Sequence, residues 1–184
     1  MKRTVLFIHS AGPQGQDLGS SKLSAYVEKE LRDTYQFIFP KMPAPENPKY
    51  APWKNQLEKE LKKLNGEVIL VGHSLGGSVL LKYLSEESCS LPISGLFIIA
   101  SPYWGFDEDW QLKDFFLQKN FEEHLPKIPN LFLYHSRDEE IVPFSHHKMY
   151  AEKLPQAAIR ELEGKEHLFL NGLPILVNDL RSGC

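Results

Sequence analysis

The sequence has few cysteines, no long basic run and no long apolar run, and each shortage excludes a class of protein. Two cysteines, Cys89 and Cys184, among 184 residues form no disulfide framework, which is typical of a protein from a reducing compartment. The 21 basic and 24 acidic residues give a net charge of -3, and no basic run is longer than the pair Lys62-Lys63. We therefore expect neither nucleic acid nor an anionic membrane as a partner.

The N-terminus offers no targeting or membrane segment. Its apolar run covers only Val5 to Ile8, which is too short for a signal peptide or a bilayer span, so we expect a cytoplasmic protein. Residues 1–184 should form one domain, because no repeat or linker divides them and a chain of this size buries about 70% of its unfolded surface. The sequence does not specify an oligomeric state and is compatible with a monomer.

Apolar runs alternate with segments of helical periodicity along the chain. Continuous apolar runs without a polar alternation are typical of strands covered on both faces. The pattern predicts an α/β fold whose six strands form a mostly parallel sheet with helices on both faces. The predicted strands cover residues 4–9, 35–39, 68–71, 93–100, 131–134 and 157–162, and the predicted helices cover 20–32, 52–64, 78–85, 145–154 and 174–180.

One segment between the fourth and fifth strands is aromatic and acidic together. Residues 103–127 predict one or two short helices that act as a lid or pocket wall, or else as an ordinary crossover whose aromatic side chains face the sheet. Ser145 is the predicted N-cap of the helix after the fifth strand.

The segment 67–77, EVILVGHSLGG, predicts a strand, a tight turn and a helix. A serine on such a turn is held up and exposed, provided that small residues stand two positions before and after it, as Gly72 and Gly76 do around Ser74. The amide of Leu75 and the positive end of the new helix then point to where negative charge would develop. The alternative for Ser74 is an N-cap serine that follows a glycine turn.

Three reactive residues follow strand ends in the order serine, acid, histidine. Ligands of a parallel α/β sheet bind beyond the carboxyl ends of its strands, and Ser74, Asp138 and His167 follow the third, fifth and sixth strands. Imidazole can take the serine proton and later return it, while a carboxylate fixes its tautomer, which assigns His167 as the base and Asp138 as the orienting acid. Asp138 could instead belong to a solvated charge run with Glu139 and Glu140.

The other histidines and the cysteines fit other roles. His73 adjoins the serine but generally cannot reach its hydroxyl around a tight turn, and we interpret it, with His9, His135, His146 and His147, as a packing, loop or solvent residue. Because the cysteines stand alone and adjacent histidines diverge on a helix, the sequence predicts no metal and no cofactor.

The Leu75 amide would be one hydrogen-bond donor to an oxyanion. A second such donor is expected in the loop after the first strand, where backbone amides face the elbow, the tight turn at Ser74. Ala11 is the predicted donor, with Ser10 beside it. Candidate pocket-lining residues are Ser10, Trp104, Phe106 and Phe144. The loop with five prolines at residues 40–52 is either a plain connector or a further pocket wall.

At these residues the sequence resembles the small cap-less serine hydrolases of the YdeN type, a family that includes the retinoblastoma-binding serine hydrolases. The resemblance rests on VLFIH, KMPAPENP, VGHSLGG, RDEEIVPFS and EHLF, which are spread over nearly the whole chain. It implies an α/β hydrolase fold and a triad at Ser74, Asp138 and His167.

Two positions depart from the family's usual pattern. Ser10 stands where the family often has glycine after its first histidine, which affects the oxyanion loop, and Glu166 stands where it often has glycine before the catalytic histidine, which places a carboxylate beside the base. The L-x-C-x-E segment expected in members that bind pocket proteins is missing from the sequence.

Together these features predict a serine hydrolase that cleaves neutral, small acyl esters through an acyl-enzyme. A thioesterase or acyltransferase would use the same residues, and a non-catalytic interaction module could retain the fold.

Overall fold

A computed structural model describes residues 2–183 of the chain. Cys89 is a free thiol, whereas Cys184, the other cysteine that we expect to form no disulfide, lies outside the described residues. None of the helices in the described part of the chain is long and apolar enough to cross a membrane.

Six parallel strands form one sheet in the order β2-β1-β3-β4-β5-β6. The chain starts one strand in from the edge of the sheet, adds β2 on that edge and then adds every later strand on the other side of β1, which is a doubly wound topology. The strands are β1 (Arg3–Ile8), β2 (Tyr35–Ile38), β3 (Val68–His73), β4 (Ile93–Ile99), β5 (Leu131–Ser136) and β6 (Ala158–Leu162).

Helices follow the strands and cover both faces of the sheet, as the apolar runs predict. They are α1 (Ser21–Leu31), α2 (Tyr50–Leu61), α3 (Leu75–Glu86), α4 (Phe121–His124), α5 (Phe144–Lys153) and α6 (Pro174–Gly183), and one 3-10 turn covers Lys113–Phe115. The predicted α/β class is therefore confirmed.

Alternate residues of each strand belong to two different apolar clusters. In β1, Leu6 and Ile8 pack with α2 and α3, while Val5 and Phe7 pack with α1 and α6. All four side chains are fully buried. Burial on both faces explains why these strands read as continuous apolar runs rather than as alternating ones.

One predicted helix start is wrong. Helix α5 begins at Phe144 with Pro143 in the N-cap position, so Ser145 lies inside the first turn and does not cap the helix. Proline fixes a φ near -65° and has no amide hydrogen to satisfy, so it fits the start of a helix.

The aromatic segment between β4 and β5 contains the two short helical turns that its sequence predicts. Phe115 and Phe121 are buried in the apolar cluster on the α2 and α3 side, as expected of a crossover that packs on the sheet. Trp104 and Trp110 line a pocket instead. The segment therefore combines the two interpretations that its sequence left open.

Candidate active site

Ser74 lies between the end of β3 and the start of α3 in a strained backbone conformation. Its φ is 52° and its ψ is -121°, a region of backbone conformation that residues other than glycine rarely occupy. A Cβ on Gly72 would come within 2.6 Å of the Gly77 backbone, and one on Gly76 would overlap the carbonyl oxygen of Ile8. The turn can therefore be this tight only because these two positions are glycine.

Backbone hydrogen bonds hold the strained serine from both sides. The Ser74 amide donates to the Ile99 carbonyl at 2.8 Å, and the Ser101 hydroxyl donates to the Ser74 carbonyl at 2.8 Å. Strain of this kind persists where the surroundings determine the conformation, and it is frequent at functional sites.

His167 lies in the loop after β6 and faces the same pocket as Ser74. Its side chain is buried, and its Nδ1 lies 2.5 Å from Oε2 of Glu139. A hydrogen bond from Nδ1 to a carboxylate leaves Nε2 unprotonated in the neutral ring, which is the tautomer that can accept a proton from a serine hydroxyl.

Glu139 lies in the turn after β5, and three hydrogen-bond donors hold its carboxylate. Its Oε1 accepts the amide of Val142 and lies 3.3 Å from Nε2 of His135, while its Oε2 faces His167. Burial alone would raise the pKa of Glu139, but the hydrogen bonds with His135 and His167 outweigh burial and lower that pKa from 4.5 to about 2. Glu139 is therefore a carboxylate at neutral and mildly acidic pH.

The prediction that Asp138 contacts His167 is wrong, because the carboxylate beside His167 is that of Glu139, whereas Asp138 is exposed and has other partners. Its carboxylate accepts the hydroxyl of Ser136 at 2.7 Å and the amide of Gly164 at 3.0 Å. These bonds lower the pKa of Asp138, the largest effect coming from Ser136. Asp138 thus joins the turn after β5 to the loop that carries His167, and Glu139 provides the carboxylate for the imidazole.

Two backbone amides border the pocket beside Ser74. Leu75 is the first residue of α3 and Ala11 lies in the loop after β1, and both line the pocket. The amides on either side of Ala11 are occupied, since that of Ser10 donates to Ser20 Oγ and that of Gly12 donates to the Pro45 carbonyl. Within residues 2–183, the amides of Ala11 and Leu75 donate to no protein acceptor, so both are available to a ligand oxygen.

The pocket has a volume of about 330 Å³ and a mostly apolar wall. Glu140 is the one carboxylate in its wall among the described residues, and it is exposed. The residues that line it are Ser10, Ala11, Ser74, Leu75, Pro102, Trp104, Trp110, Glu140, Ile141, His167 and Leu168.

Two candidate pocket residues lie elsewhere. Phe106 is 41% exposed and packs edge-on against His146, and Phe144 packs against His135 and His147. Neither belongs to the pocket wall. Phe144 is drawn away because it starts α5, which packs its first turn on β5 rather than over Ser74.

The proline-rich loop borders a different cavity. That cavity, of about 630 Å³, lies between the loop after β1 and residues 41–47. Its two walls are joined by Gly12 donating to the Pro45 carbonyl and by the Met42 amide donating to Gln14 Oε1. The loop thus supports the segment that contains Ala11 without reaching the Ser74 pocket.

The remaining histidines in the sheet region are buried. Burial lowers the pKa of His9 and of His147 to about 4, and His9 stacks on Phe39 with ring centroids 3.7 Å apart. His146 accepts the Tyr103 amide at 3.0 Å and approaches Asp107 at 3.1 Å. His135 contacts Glu139, so it supports the site from behind rather than acting only in packing.

The structure explains the two departures from the family pattern. Ser10 does not adopt a positive φ, so its backbone does not require glycine, and its hydroxyl lies 3.0 Å from that of Ser20. The side chain of Glu166 is exposed, and its carbonyl accepts the Phe169 amide. The carboxylate that contacts His167 is therefore that of Glu139, not that of its neighbour in sequence.

Solved structures with the same fold cover nearly the whole chain. The product of the ydeN gene of Bacillus subtilis superposes with a TM-score of 0.81 at 24% identity and covers 98% of both chains. Est1E from Butyrivibrio proteoclasticus superposes with a TM-score of 0.69 at 12% identity, and the match covers 98% of this chain and 86% of Est1E. A lidless α/β serine hydrolase from Xanthomonas campestris superposes with a TM-score of 0.68 at 18% identity, and the match covers 98% of this chain and 79% of that one.

These likenesses establish an α/β hydrolase fold, and the sequence carries the relationship further. YdeN of Bacillus subtilis (strain 168) is 27% identical over 161 aligned positions, and the alignment covers 83% of this chain and 82% of YdeN. Residues 26–172 match the family described as serine hydrolase. That match spans most of the chain and includes Ser74, Glu139 and His167, and the protein therefore belongs to the serine hydrolase family.

Proposed function

We propose that this protein hydrolyses small carboxylic esters through an acyl-enzyme on Ser74. The observation that carries the proposal is that one pocket contains both a serine on a strained elbow and a histidine whose far nitrogen is bonded to a buried carboxylate. These are the parts that serine hydrolases use to activate a hydroxyl.

In the first half of the proposed reaction, Ser74 Oγ attacks the carbonyl carbon of the ester. The serine proton passes to Nε2 of His167, and the Glu139 carboxylate stabilises the resulting imidazolium. The carbonyl oxygen becomes an oxyanion that accepts hydrogen bonds from the amides of Ala11 and Leu75. Collapse of this intermediate breaks the ester C–O bond, and His167 returns its proton to the departing alcohol.

In the second half, water replaces the alcohol. His167 removes a proton from the water as its oxygen attacks the acyl carbon, and the acid leaves while Ser74 recovers its proton from His167. The same two amides stabilise the second intermediate, so each half of the reaction uses the same five groups.

The pocket favours a substrate with a small apolar acyl group. Trp104 and Trp110 lie with their ring centroids 5.1 Å apart in its wall, and apolar walls with few polar groups bind uncharged groups best. Ferulic acid has been seen bound to Est1E, which shares the fold. That likeness supports an organic acid or ester as the substrate class here and does not define its size.

Labelling by a fluorophosphonate tests the proposal. We expect one covalent adduct, located on Ser74 by mass spectrometry of the intact protein and its peptides. Ser74→Ala should lose both the adduct and the hydrolysis of p-nitrophenyl acetate by several orders of magnitude. Ser182→Ala is the matched control, because Ser182 is exposed at the end of α6 and bonds only the Asn178 carbonyl.

An adduct on another residue, or none, would contradict the proposal. A Ser74→Ala protein that is folded and fully active would contradict it as well. Comparing p-nitrophenyl esters of graded length with a matched thioester, and adding an alcohol acceptor, separates an esterase from the thioesterase and acyltransferase that use the same residues.

A further inference from the structure

His73 precedes the candidate nucleophile and is buried completely. Its Nε2 lies 2.7 Å from the main-chain carbonyl oxygen of His167, and its Nδ1 lies 2.8 Å from Oγ of Ser20. His73 therefore contacts two loops that are remote from it in sequence, one after β6 and one before α1.

The direction of these hydrogen bonds follows from the acceptor. A carbonyl oxygen only accepts, so Nε2 of His73 carries a hydrogen and donates it to His167. Burial and the neighbouring His167 lower the pKa of His73 to about 3, so the ring is neutral. Nδ1 is then an acceptor, and the Ser20 hydroxyl donates to it.

Ser20 extends the chain of hydrogen bonds to the loop after β1. The Ser10 amide donates to Ser20 Oγ at 2.8 Å, and the Ser10 and Ser20 hydroxyl oxygens lie 3.0 Å apart. Because the one hydroxyl hydrogen of Ser20 is directed to His73, the hydrogen between the two serines comes from Ser10. All four polar partners of this buried chain are thereby satisfied.

This chain of hydrogen bonds ends at Ser10 and His167, which adjoin or supply the proposed catalytic groups. Ser10 directly precedes Ala11, which lines the pocket, and His167 contributes its own carbonyl and lines the same pocket as Ser74. Ser20 stands in the N-cap position of α1 but makes no capping hydrogen bond. Its hydroxyl is used across the molecule rather than to stabilise its own helix.

We infer that His73 and Ser20 are positioning residues that set the spacing between the Ala11 amide and the His167 ring around Ser74. This inference rests on the proposed function, because it assigns the pair a task in that reaction. Neither residue touches the substrate. Their effect is on the transition state, in which the oxyanion and the imidazolium form together on opposite sides of the acyl carbon.

Ser20→Ala tests the inference with the least disturbance, since it removes one oxygen and no capping bond. Displacement of a catalytic group by about 1 Å costs on the order of 10²-fold in rate. We therefore expect kcat for p-nitrophenyl acetate to fall about 10- to 100-fold, with KM within about twofold of the wild type. The second-order rate of fluorophosphonate labelling at Ser74 should fall in parallel.

Ser24→Ala is the matched control. Ser24 is buried in the same helix, but its hydroxyl bonds only the neighbouring Ser21 carbonyl. This variant should keep the wild-type kcat and labelling rate. If Ser20→Ala lowers the melting temperature but leaves kcat and labelling unchanged, the pair has a structural role only and the inference is overturned.

Two replacements of His73 add a rescue test. His73→Gln keeps a donor that can reach the His167 carbonyl, whereas His73→Leu leaves that buried carbonyl without one. We expect the glutamine variant to retain clearly more activity than the leucine variant. Ser20→Ala combined with His73→Leu should lose little more than the worse single variant, because both interrupt one chain of hydrogen bonds. Fully additive losses would overturn the inference.

The outcomes distinguish the two proposals. A wild-type protein that is not labelled at Ser74 contradicts the proposed function and this inference with it. A wild-type protein that is labelled, together with a Ser20→Ala variant that is labelled equally fast, contradicts the inference alone. If the His73 variants do not fold, the comparison of Ser20→Ala with Ser24→Ala decides the question.

Discussion

Replacing Glu139 with glutamine should leave His167 in a tautomer that cannot act as the base. The side-chain amide keeps the shape of Glu139, and its oxygen still accepts the Val142 amide, which places the NH2 group towards Nδ1 of His167. Nδ1 must then accept, and the neutral ring carries its hydrogen on Nε2 instead. In that tautomer Nε2 cannot take the proton of Ser74.

The size of the effect follows from the charge that is lost. In spite of its burial, the hydrogen bonds of Glu139 with His135 and His167 lower its pKa to about 2, so its negative charge is present when the imidazolium forms. A hydrogen bond to a charged group contributes about 1.5 to 3 kcal/mol, and loss of that stabilisation from the transition state would lower kcat about 10- to 150-fold. The wrong tautomer adds to this loss, and replacing the acid of a serine protease triad costs about 10⁴-fold. We therefore expect a decrease of about 10² to 10⁴ in kcat for p-nitrophenyl acetate.

Asp138→Asn is the matched control, because it neutralises the adjacent carboxylate while an amide oxygen can still accept from Ser136 and Gly164. It should change kcat by no more than about threefold. Circular dichroism and thermal unfolding would establish that both variants fold. An Asp138→Asn variant that loses as much activity as Glu139→Gln, or a Glu139→Gln variant with normal kcat, would refute the assignment.

Three further predictions concern packing, acid stability and selectivity. Gly76→Ala places a methyl group against the Ile8 carbonyl and should lower the melting temperature by about 6 to 12 °C, for a cost of about 3 kcal/mol. Gly15→Ala makes only an ordinary contact with Leu18 Cδ1 at 3.6 Å and should leave the melting temperature unchanged; equal melting temperatures of the two variants would contradict the packing explanation. Because burial lowers the pKa of His147 to about 4, the unfolded chain binds this proton between pH 6.5 and 4 and the folded protein does not, so stability decreases as the pH falls through that window. In urea unfolding, His147→Phe should reduce the slope by up to about 1.4 kcal/mol per pH unit, and an unchanged slope would count against it. Glu140→Gln removes a negative charge from the pocket wall and should raise kcat/KM for an ester with a carboxylate on its acyl chain about two- to fivefold relative to a neutral ester, less so in high salt; an equal change for both esters would refute the electrostatic explanation.

The elbow and the fold could be predicted from sequence because their signals are local. Strand, glycine turn and helix follow one another around Ser74, and the strain at that serine needs only its neighbours Gly72 and Gly76. The doubly buried strands also show directly as apolar runs. The position of His167 follows from topology alone, since parallel strands bring their carboxyl ends to one edge of the sheet.

The choice between Asp138 and Glu139 could not be made in the same way. Three consecutive carboxylates, including Glu140, follow β5, and the sequence indicates only that one of them faces the histidine. The decision depends on where the donors lie: Ser136 and Gly164 hold Asp138, whereas Val142 and His135 hold Glu139. Glu139 is buried whereas Asp138 is exposed, which no pattern of residue types reveals.

The role of His73 was beyond sequence for a related reason. Its ring bonds Ser20 and His167, which lie 53 and 94 residues away in the chain. A side chain whose partners are so distant in the chain leaves no local signal. The sequence shows that His73 stands beside Ser74, but only the tertiary structure shows its hydrogen-bond partners.

The turn between β5 and α5 has a consequence for how this enzyme family member could change its substrate. Glu139 points from that turn to the base, while the next two residues, Glu140 and Ile141, form part of the pocket wall. Mutations that reshape the wall from this side therefore risk moving the acid. Trp104 and Trp110 line the pocket from the segment after β4, and among residues 2–183 neither is a hydrogen-bond partner of His167. Selection for a new ester, in nature or in a directed-evolution experiment, should accumulate its changes there first.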